Sequence, residues 1–181
     1  MDRKAKARVA IAFDVLQSVD SLKVDNHGYY LSDLDGTVTI DKYGDDVDVR
    51  RQFKGDIKED ATKHLPRLQK CHVCALGACL ISQVKLFNKM SISKLVVEDR
   101  SNPKHQAIDP NRQIISKLLS KFFCQSQLDL IESAFEIGGD YYSQAPYSVD
   151  AEDFGRNYDD PKKRLKAIMA NIIVNDGEFC P

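Results

Sequence analysis

Between Ala5 and Gln17 apolar residues return every three or four positions, at Val9, Ala12, Phe13 and Leu16, with Lys and Arg between them. That spacing predicts an amphipathic helix. From Asn26 to about Phe53 the period shortens to two and turn residues intervene: Asn26-His27-Gly28, Asp35-Gly36 and Tyr43 to Asp46 separate Tyr29 to Leu31, Val38 to Ile40 and Val47 to Val49. Alternation punctuated by Gly, Asn and Asp predicts a small antiparallel β-hairpin element near residues 28–53, inserted over residues 26–53, with Asp35-Gly36 as a turn signal. Helical spacing resumes with Ile57, Ala61, His64, Leu65 and Leu68 up to about Gln69, where Pro66 kinks or restarts the helix.

The stretch from Cys71 to Val84 holds fourteen residues and no charge, between Lys70 and Lys85. At about 100° per residue, Val73, Leu76, Leu80, Val84 and Phe87 share one face and Ala75, Ala78, Cys79 and Ser82 the other. A helix without a polar face belongs at the centre of a fold, and its small-residue side lets neighbouring backbones approach. Lys94 to Glu98 reads as a short strand and Asp99 to Asn111 as a polar loop. A helix capped by Asp109, with Pro110 at its first position, carries the stripe Ile114, Ile115, Leu118, Leu119, Phe122 and Phe123. Another starts at Ser126, turns Leu128, Ile131, Ala134 and Phe135 inward and stops at Gly138-Gly139, and the two are expected to pack as an antiparallel pair. After a Tyr-rich connection and a turn of helix near Asp150 to Phe154, the last helix begins at Asp159-Asp160-Pro161. It carries Leu165, Ile168, Met169, Ile172 and Ile173 and ends at Asn175-Asp176-Gly177. The expected fold is mostly α: a single compact helical domain over residues 1–181 with the β-hairpin set into it.

Composition narrows the function classes. A chain of 181 residues buries roughly 70% of its unfolded surface, enough for a core without disulfides or metals. Its 26 Lys and Arg against 27 Asp and Glu, a net charge of −1, exclude nucleic-acid binding by bulk electrostatics. No apolar run reaches the roughly 18–20 residues of a membrane span, and the charged N-terminus lacks a signal-peptide core, so a cytoplasmic protein is expected. Five cysteines, three of them crowded at Cys71, Cys74 and Cys79, suit reduced thiols.

Three groups of residues could carry chemistry. Asp33-Leu34-Asp35-Gly36-Thr37-Val38-Thr39 resembles the first motif of the haloacid-dehalogenase-like phosphatases. That resemblance implies Asp33 as nucleophile, Asp35 as general acid and base, and Mg²⁺ held by both. The family's buried parallel sheet is not legible around the motif, and Asp35-Gly36 reads equally as a turn. Cys71-His72-Val73-Cys74 has the spacing of half a zinc site or a redox pair, but no second half follows, and cysteines in an apolar helix are commonly packing residues. The basic cluster Arg50, Arg51, Lys54, Lys63, Arg67 and Lys70 could attract an anion, and Tyr141 and Tyr142 beside Asp140 could stack on a ring; a solvated face and a Tyr-rich loop are the plainer readings.

Three longer strings, Cys71-His-Val-Cys-Ala-Leu-Gly-Ala-Cys-Leu-Ile-Ser82, Leu130-Ile-Glu-Ser-Ala-Phe-Glu136 and Asp159-Asp-Pro-Lys-Lys-Arg-Leu-Lys-Ala-Ile-Met-Ala-Asn-Ile-Ile173, resemble a family of small bacteriophage and bacterial proteins with no assigned activity. The likeness touches the N-terminal helix and leaves Asp33 to Asp48 as an insertion. It implies an origin and not a mechanism. The expectation is a non-enzymatic binding protein of phage or prophage origin in the bacterial host cytosol. It would act against host defence by sequestering a nucleotide-type anion or by blocking a host protein, with a homo-oligomer possible.

Overall fold

The computed structural model describes residues 1–26, 31–32, 37–40, 46–49, 62, 65–69, 72–87, 96–98, 106–108, 112–137 and 148–181. The fold is mostly helical, as the periodicity predicts. Helix α1 (Arg3–Ser18) starts where Asp2 caps it, its Oδ1 accepting the Ala5 N–H at 2.6 Å. Its inward face carries Ile11, Ala12 and Val15, together with Arg8 and Asp14. Phe13, expected inside, is 53% exposed. The stripe is rotated because two charged residues that read as solvent-facing have partners within the fold.

Helix α3 (Ala75–Phe87) is the centre. Every residue from Ala75 to Val84 is buried, as its lack of charge requires. It begins four residues later than expected, because His72–Val73 form strand β5, which pairs in parallel with β1 (Lys23–Val24). A two-residue strand leaves no periodicity to detect, and its partner lies far away in sequence. Helices α1, α4 (Arg112–Leu119) and α5 (Gln125–Phe135) pack around α3. The expected α4 and α5 pair is replaced by packing of each on α3, with α5 turning its remaining contacts to α6 (Val149–Arg156) and α7 (Pro161–Val174). Cys124, and not Ser126, occupies the cap position of α5, and Ser148 and Asp160 cap α6 and α7. Short helix α2 (Leu65–Leu68) carries Pro66 in its first turn, where a missing N–H costs nothing. The rest of the helix expected from Ile57, the Asp109 cap and the Gly138-Gly139 stop lie outside the described residues.

The β-structure differs from the single hairpin expected. Strand β2 (Leu31–Ser32) joins β1 and β5 instead, antiparallel to β5 on the edge opposite β1. Strands β3 (Thr37–Ile40) and β4 (Asp46–Val49) pair separately and antiparallel. The turn expected at Asp35-Gly36 lies outside the described residues. A third pair, β6 (Val96–Glu98) with β7 (Gln106–Ile108), lies partly in what reads as polar loop.

Helix α7 runs back along α1. Lys162 and Lys166 at its start reach Asp20, and Gly177 past its end meets Ala5. Its C-terminus turns in a Schellman arrangement: Gly177 N–H donates to Ile172 O at 2.7 Å and Asp176 N–H to Ile173 O at 3.4 Å, with φ of 54° at Asp176 and 96° at Gly177. Helices α5 and α6 cross so closely at Gly155 that an added Cβ would overlap the Ala134 carbonyl. Gly155→Ala is therefore expected to destabilise the protein by about 1–3 kcal/mol through overpacking against backbone. A thermal melt followed by circular dichroism within a degree of wild type would refute this crossing.

Candidate ligand-binding site

A partly exposed polar junction lies where β1 and β5 end and α3 begins. The ladder extends one residue past β1, with Asp25 N–H donating to Val73 O at 3.0 Å. This places the Asp25 carboxylate beside His72, Oδ2 to Nδ1 at 3.2 Å. Asn26, the next residue, donates from Nδ2 to Ile137 O at 3.0 Å and so joins this edge to the end of α5. The His72 and Asp25 side chains keep 31% and 21% of their surface exposed. His72 and Asp25 thus form a partly exposed hydrogen-bonding pair in which the imidazole faces a carboxylate through Nδ1.

Cys74 follows β5 and opens α3, its carbonyl accepting the Ala78 N–H at 2.9 Å. A thiol at a helix N-terminus is ordinarily acidified, and here the Gly77 and Leu76 N–H groups do act in that direction. Burial outweighs them, reinforced by the charges of Glu136 and Glu132 on the α5 side, and holds the Cys74 thiol well above its ordinary value. Cys79 on the same helix is pushed up to about 12 by burial alone. Both are packing thiols in their protonated form. The Cys71–Cys74 pair does not open a helix, since β5 stands between the two residues, and Cys71 lies outside the described residues.

Arg164 fixes the α5 side of the junction. Its Nη1 donates to Phe135 O at 2.7 Å and Ile137 O at 3.3 Å, Nη2 to Tyr158 O at 2.9 Å, and Nε to Gly155 O and Tyr158 O, both at 3.2 Å. Burial pulls its pKa down from the ordinary arginine value, opposed by the charges of Glu136, Asp159 and Asp160. A guanidinium remains charged in such a site, and here it faces the carbonyl ends of two helices, where the macrodipoles favour a cation.

Of the residues singled out from sequence, Asp33, Asp35, Arg50, Arg51, Lys54, Lys63, Lys70, Tyr141 and Tyr142 lie outside the described residues, and so does the Mg²⁺ expectation that rests on the two aspartates. Arg67 falls within α2. Among the described residues no group of three His, Cys, Asp or Glu side chains is placed to hold a metal ion. Asp25, Asn26 and His72 were not visible as a site in the sequence. The available signal was Asp25-Asn26 directly after the short apolar run Leu22 to Val24, and a histidine two residues before a buried cysteine. No helix among the described residues is long and apolar enough to cross a membrane. No family model, no curated protein and no solved structure matches this chain.

Two measurements follow from the thiols. Cys124 is exposed, and its bond with the Ser126 hydroxyl at 3.1 Å lowers its pKa. Of the two exposed described thiols, Cys124 and Cys180, Cys124 is expected to react with an aromatic disulfide reagent with a rate midpoint below the ordinary thiol range, read in a Cys180→Ser background. Cys74 and Cys79 should stay silent until unfolding; equal rates at Cys79 and Cys124 would contradict the burial. Because the folded Cys79 keeps its proton while the unfolded thiol releases it from about 9.0, stability is complete below that pH and falls as pH rises toward about 12. Cys79→Ala should flatten this alkaline loss, measured as a smaller fall in Tm than in wild type over the same range.

Proposed function

We propose that the protein is a non-enzymatic binding protein of phage or prophage origin that sequesters a nucleotide-type anion, or blocks a host protein, at the junction of β1, β5 and α5. The observation that carries this reading is the Asp25 and His72 pair. It is a partly exposed hydrogen-bonding pair whose His72 stands two residues before Cys74, a thiol that burial holds protonated. Such an arrangement offers a donor or acceptor for recognition without a reactive thiol beside it among the described residues. Of the two buried arginines of the described core, Arg164 donates to backbone carbonyls, which assigns it to the scaffold, and Arg8 is engaged away from this junction by the Gly177 and Phe122 carbonyls and the Glu178 carboxylate. In sequence, the anion-attracting and ring-stacking residues flank this junction: Lys70 stands two positions before His72, and Tyr141 and Tyr142 four and five after Ile137. The three strings that resemble phage and bacterial proteins support the origin.

The test is native mass spectrometry of the full chain purified from bacterial cells, followed by calorimetric titration with nucleoside mono-, di- and triphosphates. A mass excess equal to a nucleotide, and a roughly tenfold weaker affinity in His72→Ala with an unchanged fold, are expected. A clean mass with flat titrations at millimolar nucleotide overturns the sequestration form and turns the search to a host protein.

A further inference from the structure

Beyond the Schellman turn at Gly177, Phe179 and Cys180 are held by side chains of two helices. Phe179 N–H donates to Gln127 Oε1 at 2.6 Å, and Gln127 Nε2 donates back to Phe179 O at 3.2 Å. Cys180 N–H donates to Asn171 Oδ1 at 2.9 Å, and Asn171 Nδ2 donates back to Cys180 O at 2.7 Å. Two carboxamides, one on α5 and one on α7, thus each pair with both backbone groups of one residue, as a neighbouring β-strand would. The two residues present their backbone groups to different helices in turn, the alternation of an extended segment.

Arg8 on α1 holds the entrance, Nε donating to Gly177 O at 2.6 Å, Nη1 to Phe122 O at 2.9 Å and Nη2 paired with the Glu178 carboxylate. The Phe179 ring is buried and stands edge-on to Phe154, with centroids 5.2 Å apart and planes at 86°. Hydrogen bonds from side chains to backbone read peptide shape and not sequence. Sequence is read by the pocket around Phe179 and by the charge of Arg8.

We infer that the groove formed by Arg8, Gln127, Phe154 and Asn171 is an extended-peptide site which the chain fills with its own tail, and that it accepts in trans a peptide carrying a carboxylate residue followed by phenylalanine. The tethered tail competes at an effective concentration of about 1 mM, so the site opens to a second peptide when the tail's anchor is weakened. The full-length Phe179→Ala chain is therefore titrated with a synthetic peptide of the sequence of residues 176–181. Its Tm should rise saturably toward the wild-type value, and the Gln127 and Asn171 side-chain amide resonances should return to their wild-type positions. A peptide with alanine in place of phenylalanine should do neither. No response at several millimolar peptide overturns the inference.

Should Phe179→Ala fail to fold, native-state hydrogen exchange of the wild-type chain decides. The Phe179 and Cys180 amides are expected to exchange through an opening that leaves the interior amides of α7 protected. Exchange of both only with global unfolding means that the tail does not separate from its groove, and the inference falls.

Discussion

Arg164 is the interaction on which the surrounding structure depends. One buried guanidinium binds four carbonyls, those of Phe135 and Ile137 at the end of α5 and of Gly155 and Tyr158 at the end of α6, from a position inside α7. Helix ends carry carbonyls with no partner inside the helix, and burying them unmet is costly. Arg164 meets the need of two ends at once and fixes how α5, α6 and α7 meet. Ile137 O is shared with Asn26, so the same cation sets the distance between the end of α5 and the edge of the β1 and β5 ladder. Removing the side chain leaves several buried acceptors unpaired together, which makes the position far less tolerant than a surface arginine.

Arg8 does related work at the other end of the bundle, on the carbonyls of Phe122 and Gly177. Between these two cations lies a core contributed mainly by α1, α3, α5 and α7, with α3 touched on all sides. Asp14 adds a third polar link across that core, accepting from Ser82 Oγ at 2.9 Å and Lys85 Nζ at 2.5 Å, and so joins α1 to α3 at the helix edge where the apolar run stops.

The long helices were legible because their signals are local. Asp160-Pro161 begins α7 and Asn175-Asp176-Gly177 ends it as the capping rules require, and the uncharged run through Ala75 to Val84 places α3 at the centre. What escaped was non-local. Strand β5 is two residues whose partner β1 lies in a distant part of the chain, and β2 reads as half of a hairpin until β5 is seen beside it. The inward turn of Arg8, Asp14 and Arg164 was hidden for a related reason. A charged residue on a helix reads as solvent-facing, and only the carbonyls brought to it by other elements make burial favourable. The candidate site combines both difficulties, since Asp25, Asn26 and His72 are ordinary residues until the parallel ladder sets them together.

The central position of α3 also has a consequence during synthesis. The helix leaves the ribosome before α4 and α5, which pack on it, have been made, on the order of fifty residues later. At elongation rates of about 5–20 residues per second that interval is roughly 2–10 s. For that time an uncharged segment of small and aliphatic side chains has α1 against it but lacks the native cover of α4 and α5.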